Sequence, residues 1–161
     1  MDKGKICGTD SKKIFDELII MFPGLIKEGV KYIPRKHSGF VRCFLKNGIS
    51  LWFVIYSDIA KDRQDKDEKW KNTFSPDRRI ITEEYMKPEA EKDYKIDLET
   101  DFRLIFARDK NVSKNEYVFM GVYEKHIPEK QLGHKTLEYH LVSDVFDGEL
   151  LKKYPYCNND I

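Results

Sequence analysis

The chain has 161 residues, 40% of them hydrophobic and 13% aromatic, with 29 Lys and Arg against 28 Asp and Glu. That length suits one domain, residues 1–161, which can bury roughly two-thirds of the surface its unfolded chain exposes, with residues 150–161 read as a flexible tail. No apolar run approaches the roughly 20 residues of a membrane helix, and the first residues show no signal-peptide pattern, so no membrane partner is expected.

Three cysteines at wide spacing (Cys7, Cys43, Cys157) fit neither a disulfide scaffold nor a zinc knuckle. They point to a reducing cytoplasm. The four histidines form no HExxH or His-x-His pair, and no metal or other cofactor is expected. The near-neutral charge hides an asymmetry. Residues 27–46 carry six cations against Glu28 alone, whereas residues 83–101 carry eight carboxylates against Lys87, Lys92 and Lys95. Such polarity can build a basic face that attracts phosphate, or the two segments can neutralise one another in the fold.

In chain order, Asp10 or Ser11 can cap a helix whose stripe is Ile14, Phe15, Leu18, Ile19 and Phe22, stopped by Pro23 and Gly24. Residues 29–33 read as a short extended segment ended by Pro34. Asn47 and Gly48 then suggest a two-residue hairpin joining strands 40–46 and 49–57. The register that follows sets Phe44 against Leu51, Arg42 against Phe53 and Cys43 against Trp52. Residues 58–68 form a charged loop. Trp70, Phe74 and the Arg78–Arg79 doublet lead into a strand from Ile80 to about Tyr85. Residues 87–100 read as acidic and irregular.

A second hairpin follows, from residues 102–108 to 117–124, with Gly121 inside its second strand. Glycine there packs nothing and suggests a bulge or a close approach. Residues 137–142 form the last strand, and one helical turn can follow Asp147. About six strands, one main helix and no βαβ alternation define an α+β fold: a small mixed β-barrel with the N-terminal helix packed against it.

Phosphate-cradling glycine loops and nucleophile elbows are absent from the sequence, and no catalytic residues are assigned. Arg42, on a strand face with Phe40 and Phe44, calls either for a carboxylate from residues 83–101 or for aromatic faces at a pocket mouth. Trp70, among Lys69, Lys71, Arg78 and Arg79, has the composition of a surface that stacks bases and neutralises phosphates. It could equally anchor the long loop.

Arg103, Leu104, Ile105 and Phe106, then Tyr117, Phe119, Gly121, Val122 and Tyr123 after a loop, resemble a stretch of SRA domains, the SET- and RING-associated family within the PUA-like superfold. It is also similar to reader domains attached to bacterial restriction helicases. The resemblance implies a small barrel whose cleft accepts a flipped or modified base, with basic residues on its rim. The asparagine-rich base-gripping loop of eukaryotic SRA domains has no counterpart. The expected base pocket is Trp52, Trp70, Tyr85, Phe119 and Tyr123, and the expected phosphate contacts are Lys36, Arg42, Lys71, Arg78, Arg79 and Arg103. The implied function is a non-catalytic reader of a modified base in a restriction or defence system. DNA is the expected partner before RNA, alongside a nuclease or helicase subunit. Two alternatives stand: a protein–protein adaptor or inhibitor, and a small metal-dependent nuclease using Asp97, Asp101 or Glu124.

Overall fold

The computed structural model describes residues 1–26, 39–41, 48–56, 69–109, 116–131 and 133–155, with the backbone alone at 39–41, 55–56 and 109. One mixed sheet organises them. Its strands are β1 (Ile6–Gly8), β2 (Gly39–Val41), β3 (Ile49–Tyr56), β4 (Trp70–Phe74), β5 (Ile80–Tyr85), β6 (Phe102–Asp109), β7 (Tyr117–His126) and β8 (Lys135–Ser143). The spatial order is β2-β3-β6-β7-β8-β5-β4, and β1 also pairs with β7. All the pairings are antiparallel except β3 with β6. The six longer strands, β3 to β8, curl into a half-barrel, consistent with the small α+β barrel expected from the order of strands and helix.

Helix α1 (Ser11–Met21) starts where expected: the Asp10 side chain accepts the Lys12 amide at 2.9 Å. That bond satisfies one of the free amides of the first turn. Its stripe of Ile14, Phe15 and Leu18 packs with Leu51, Phe53, Leu104, Phe106, Tyr117 and Phe119 in one core on the α1 side. The opposite face holds a second core built from all six long strands and α2 (Glu91–Asp97). Here Trp52 of β3 and Tyr139 of β8 approach to 6.2 Å between ring centroids, although β6 and β7 lie between their strands. In a flat sheet those strands would stand about 14 Å apart. This face is therefore the concave one.

Three expectations are corrected. β2 pairs with β3 as Phe40 with Trp52 and Val41 with Leu51, three residues away from the register of a two-residue turn. The antiparallel β2–β3 pairing expected of a hairpin is present, and residues 42–47 of its connection lie outside the described residues; Gly48 adopts positive φ (76°), and its carbonyl accepts the amides of Asp101 and Phe102 at the start of the parallel β3–β6 ladder. Residues 88–97 are helical, not irregular. Pro88 opens a 3-10 turn, Glu91 and Asp93 favour the start of α2, and Lys125 donates to the Leu98 carbonyl just beyond its end. Finally, the helical turn expected after Asp147 forms as a 3-10 turn over residues 149–153, but with Leu151 buried and Tyr154 packed on Phe102 at 6.2 Å the body extends into the expected tail.

Gly121 does mark a bulge. Ile105 pairs with Gly121 but Phe106 pairs with Phe119, leaving Met120 as the extra residue. Gly121 has φ of 121°, and a Cβ there would lie 2.5 Å from Leu141 Cδ1 and 2.8 Å from the Ser143 carbonyl oxygen. The extra residue resets the alternation of β7. Phe119 and Tyr123, four apart and so expected on one face, lie in different cores. We predict that Gly121→Ala lowers stability by about 2–4 kcal/mol, combining a disfavoured φ with overpacking. An unchanged urea midpoint would count against this account of the bulge.

Candidate base-reading face

The concave face is organised around Arg103 of β6. Its side chain is 1% exposed, and its guanidinium meets Glu83 Oε2 at 2.9 Å and Asp97 Oδ1 at 3.3 Å. The Tyr85 hydroxyl donates to Asp97 Oδ2 at 2.6 Å and contacts Glu83 Oε2 at 3.2 Å. The guanidinium carbon lies 4.0 Å from the Tyr139 ring centroid and 4.8 Å from that of Trp52. Arg103 was expected to grip phosphate. The structure corrects this, because its charge is spent inside the fold against the acidic segment. Burial alone would favour a neutral guanidine, yet Tyr139, Glu83 and Asp97 hold its pKa above the ordinary value. Burial pushes the Glu83 carboxyl up, and Asp97 adds to the rise against the pull of Arg103.

Strand alternation decides what else reaches this face. Trp70, Asn72 and Phe74 of β4 lie directly across from Tyr85, Glu83 and Ile81 of β5. Phe74, Ile81 and Tyr85 belong to the concave core, so Trp70 and Asn72 share its side. Trp70, near the sheet's edge, is 38% exposed. The Asn72 side-chain oxygen is enclosed without a hydrogen-bond partner, and so is the hydroxyl of Ser50, which lies beside Arg103 in register. Orphaned buried acceptors are costly and call for an explanation. The face thus runs from an exposed ring, past an enclosed and unpartnered amide oxygen, to a buried carboxylate.

The expected pocket residues separate accordingly. Trp52, Tyr85 and Tyr123 line the concave core but are at most 7% exposed, and Trp70 stands at its rim. Phe119 is corrected: it is sealed in the α1-side core against Phe106. Tyr123 donates its hydroxyl to the Arg78 carbonyl at 2.7 Å. Arg79 and Lys71 are exposed, Lys71 on the convex side opposite Glu84, and Arg78 is half-buried with its guanidinium over Phe74. Lys36 and Arg42 lie outside the described residues. Sequence reading missed Asn72 and Glu83, and weighed Asp97 only as a nuclease carboxylate. The signal was a Trp-x-Asn spacing that puts both side chains on one face of a strand, but Lys71 and Asn72 are poor strand formers and masked β4.

The carboxylates weighed for a nuclease are not assembled. Asp97 serves Arg103, while Asp101 lies near Lys125 at 3.9 Å. Among the described residues, no three His, Cys, Asp or Glu side chains gather where they could hold a metal ion.

This geometry has relatives among known proteins. The model of the SET and RING associated domain matches residues 14–147, and the chain belongs to that family. The fold also matches the 5-hydroxymethylcytosine-specific restriction enzyme AbaSI, with a TM-score of 0.51 and 23% identity over 84% of this chain. The match spans 38% of that enzyme's chain, and at this identity it establishes a shared fold. No curated protein matches the chain.

Because the folded Glu83 carboxyl holds its proton to higher pH than its ordinary value of 4.5, the folded state keeps a proton that the unfolded chain releases. Its contribution is therefore full below about pH 4.5 and is lost as pH rises through the folded value. We predict that wild type loses stability relative to Glu83→Gln as pH rises from 4.5 to 8 in urea titrations. A difference that is flat, or that grows with pH, contradicts this assignment. Arg103→Met, which leaves both carboxylates buried without their cation, is expected to cost about 3–5 kcal/mol in the same assay.

Proposed function

We propose that this chain reads a modified base in DNA, without catalysing a reaction itself, as the recognition part of a restriction or defence system. The observation that carries the reading is the Trp70–Asn72–Glu83 alignment on the concave face of an SRA-family half-barrel. An extruded base stacks its ring on Trp70. The Asn72 oxygen accepts a hydrogen bond from an exocyclic amine or from a hydroxyl on the base substituent. Glu83, oriented by Arg103 and Tyr85, presents a second polar edge at the bottom. Extrusion costs a few kcal/mol, and stacking with edge hydrogen bonds offsets it.

Exposed Lys69, Lys71 and Arg79 and the nearby Arg78 supply cations on both sides of the rim strand. They fit phosphate contacts, which position the protein on DNA without reading sequence. One structural neighbour, AbaSI, is a 5-hydroxymethylcytosine-specific enzyme, which makes substituents at that position of cytosine the first to test.

The test is a binding screen with oligonucleotides carrying unmodified, methylated, hydroxymethylated and glucosylated bases. Trp70→Ala is expected to weaken the preferred oligonucleotide by about 1–3 kcal/mol, the range for lost base stacking. Asn72→Ala is expected to reduce the ratio of modified to unmodified binding more than it reduces affinity for unmodified DNA. Equal retention of all oligonucleotides by wild type and both variants would refute the reading. A stable protein complex with no nucleic-acid affinity would favour an adaptor instead.

A further inference from the structure

The turn joining β4 to β5, residues 75–79, holds the one non-glycine residue with positive φ among those described: Arg78, at 61°. A side chain in that region costs on the order of 1–2 kcal/mol, and such conformations persist only where the surroundings impose them. Here they do. Ser75 Oγ donates to Asp77 Oδ1 at 2.7 Å, and that oxygen accepts the Arg79 amide at 3.1 Å. The Ile80 amide donates to Ser75 Oγ at 3.0 Å, and the Arg78 amide to the Ser75 carbonyl at 2.9 Å.

Two further bonds anchor the turn to the barrel from outside. The Leu141 amide of β8 donates to the Arg79 carbonyl at 2.8 Å, and the Tyr123 hydroxyl of β7 reaches the Arg78 carbonyl. Tyr123 is fully buried, and it crosses beneath β8 to make that contact. Burial holds its hydroxyl pKa above the ordinary range, so it remains a donor at any working pH.

The geometry points to Tyr123 as a positioning residue for phosphate binding: by holding the Arg78 carbonyl, it fixes the backbone from which Arg78 projects. This rests on the DNA-reading proposal, and it assigns the tyrosine of the Gly-x-Tyr sequence to the rim rather than to the pocket wall. Glycine at position 78 would adopt the same φ without strain, so the arginine is explained by its side chain and the anchor by the need to aim it.

The experiment measures affinity for duplex DNA against salt concentration for wild type, Tyr123→Phe, Arg78→Ala and the double variant. Every phosphate that is no longer neutralised lowers the salt slope by about one. Tyr123→Phe keeps the buried ring and is expected to lower the slope as Arg78→Ala does, with the double variant no weaker than Arg78→Ala alone. An unchanged slope, or losses that simply multiply in the double variant, would overturn the inference while leaving the reader proposal standing. Wild type that fails to bind at any salt would overturn both. Should Tyr123→Phe fail to fold, Arg78→Gly carries the test: a lower slope with undiminished stability supports the assignment, and an unchanged slope overturns it.

Discussion

The buried Arg103 guanidinium ties the concave face together. It projects from β6, is paired to β5 through Glu83 and to α2 through Asp97, and lies near aromatic rings from β3 and β8. Removing such an ion from water costs several kcal/mol even after relaxation, so geometry of this quality is a condition of its being there. One cation thus couples five elements, and the curl that brings Trp52 near Tyr139 lets a single side chain touch them all. The same network places the Glu83 carboxylate across from Asn72 of the edge strand, where the proposed reading has the base meet it. Its first role is architectural. The polar floor is its consequence.

The second constraint is the Gly121 bulge. One extra residue on β7 sends Phe119 to the α1 side and Tyr123 to the concave side, where regular alternation would have kept them together. Only glycine tolerates both the positive φ and the close approach of Leu141 and Ser143. The Gly-x-Tyr spacing is therefore a mechanical unit. The glycine resets the strand so that the tyrosine, two residues on, can reach the Arg78 carbonyl.

Much of this fold could be read from residue patterns whose causes are local. Asp10 and the apolar stripe give α1. The runs on either side of residues 109–116 give the β6–β7 hairpin, and glycine in mid-strand signals the bulge. What failed depended on partners distant in sequence. Asn47 and Gly48 look like a tight hairpin turn, but the parallel β3–β6 ladder, unseen by any local rule, governs how Gly48 is used. Arg103 looked like a rim cation because nothing nearby in sequence reveals that Glu83 and Asp97, twenty and six residues away, converge on it. At the candidate site, Trp70 was legible as an aromatic among cations. Asn72 was not, because its significance lies in an oxygen that the fold encloses and leaves unpartnered.

In the proposed reading, that enclosed oxygen is what lets a rigid floor discriminate among bases that differ by one substituent. Stacking on Trp70 is available to every base and carries little selectivity. Apolar contact with an extra methyl or methylene adds only about 1–3 kcal/mol, whereas a site whose polar groups are already desolvated rejects a ligand that cannot satisfy them far more strongly. Asn72 and Ser50 meet the cost of desolvation in the unliganded fold, and the Arg103 network limits how far their surroundings can relax to relieve it. A base bringing a donor to these acceptors gains a full hydrogen bond, and a base without one gains nothing from the same face. In the proposed reading, affinity comes from the ring and the rim cations, while selectivity comes from acceptors that the sheet holds in place before any base arrives.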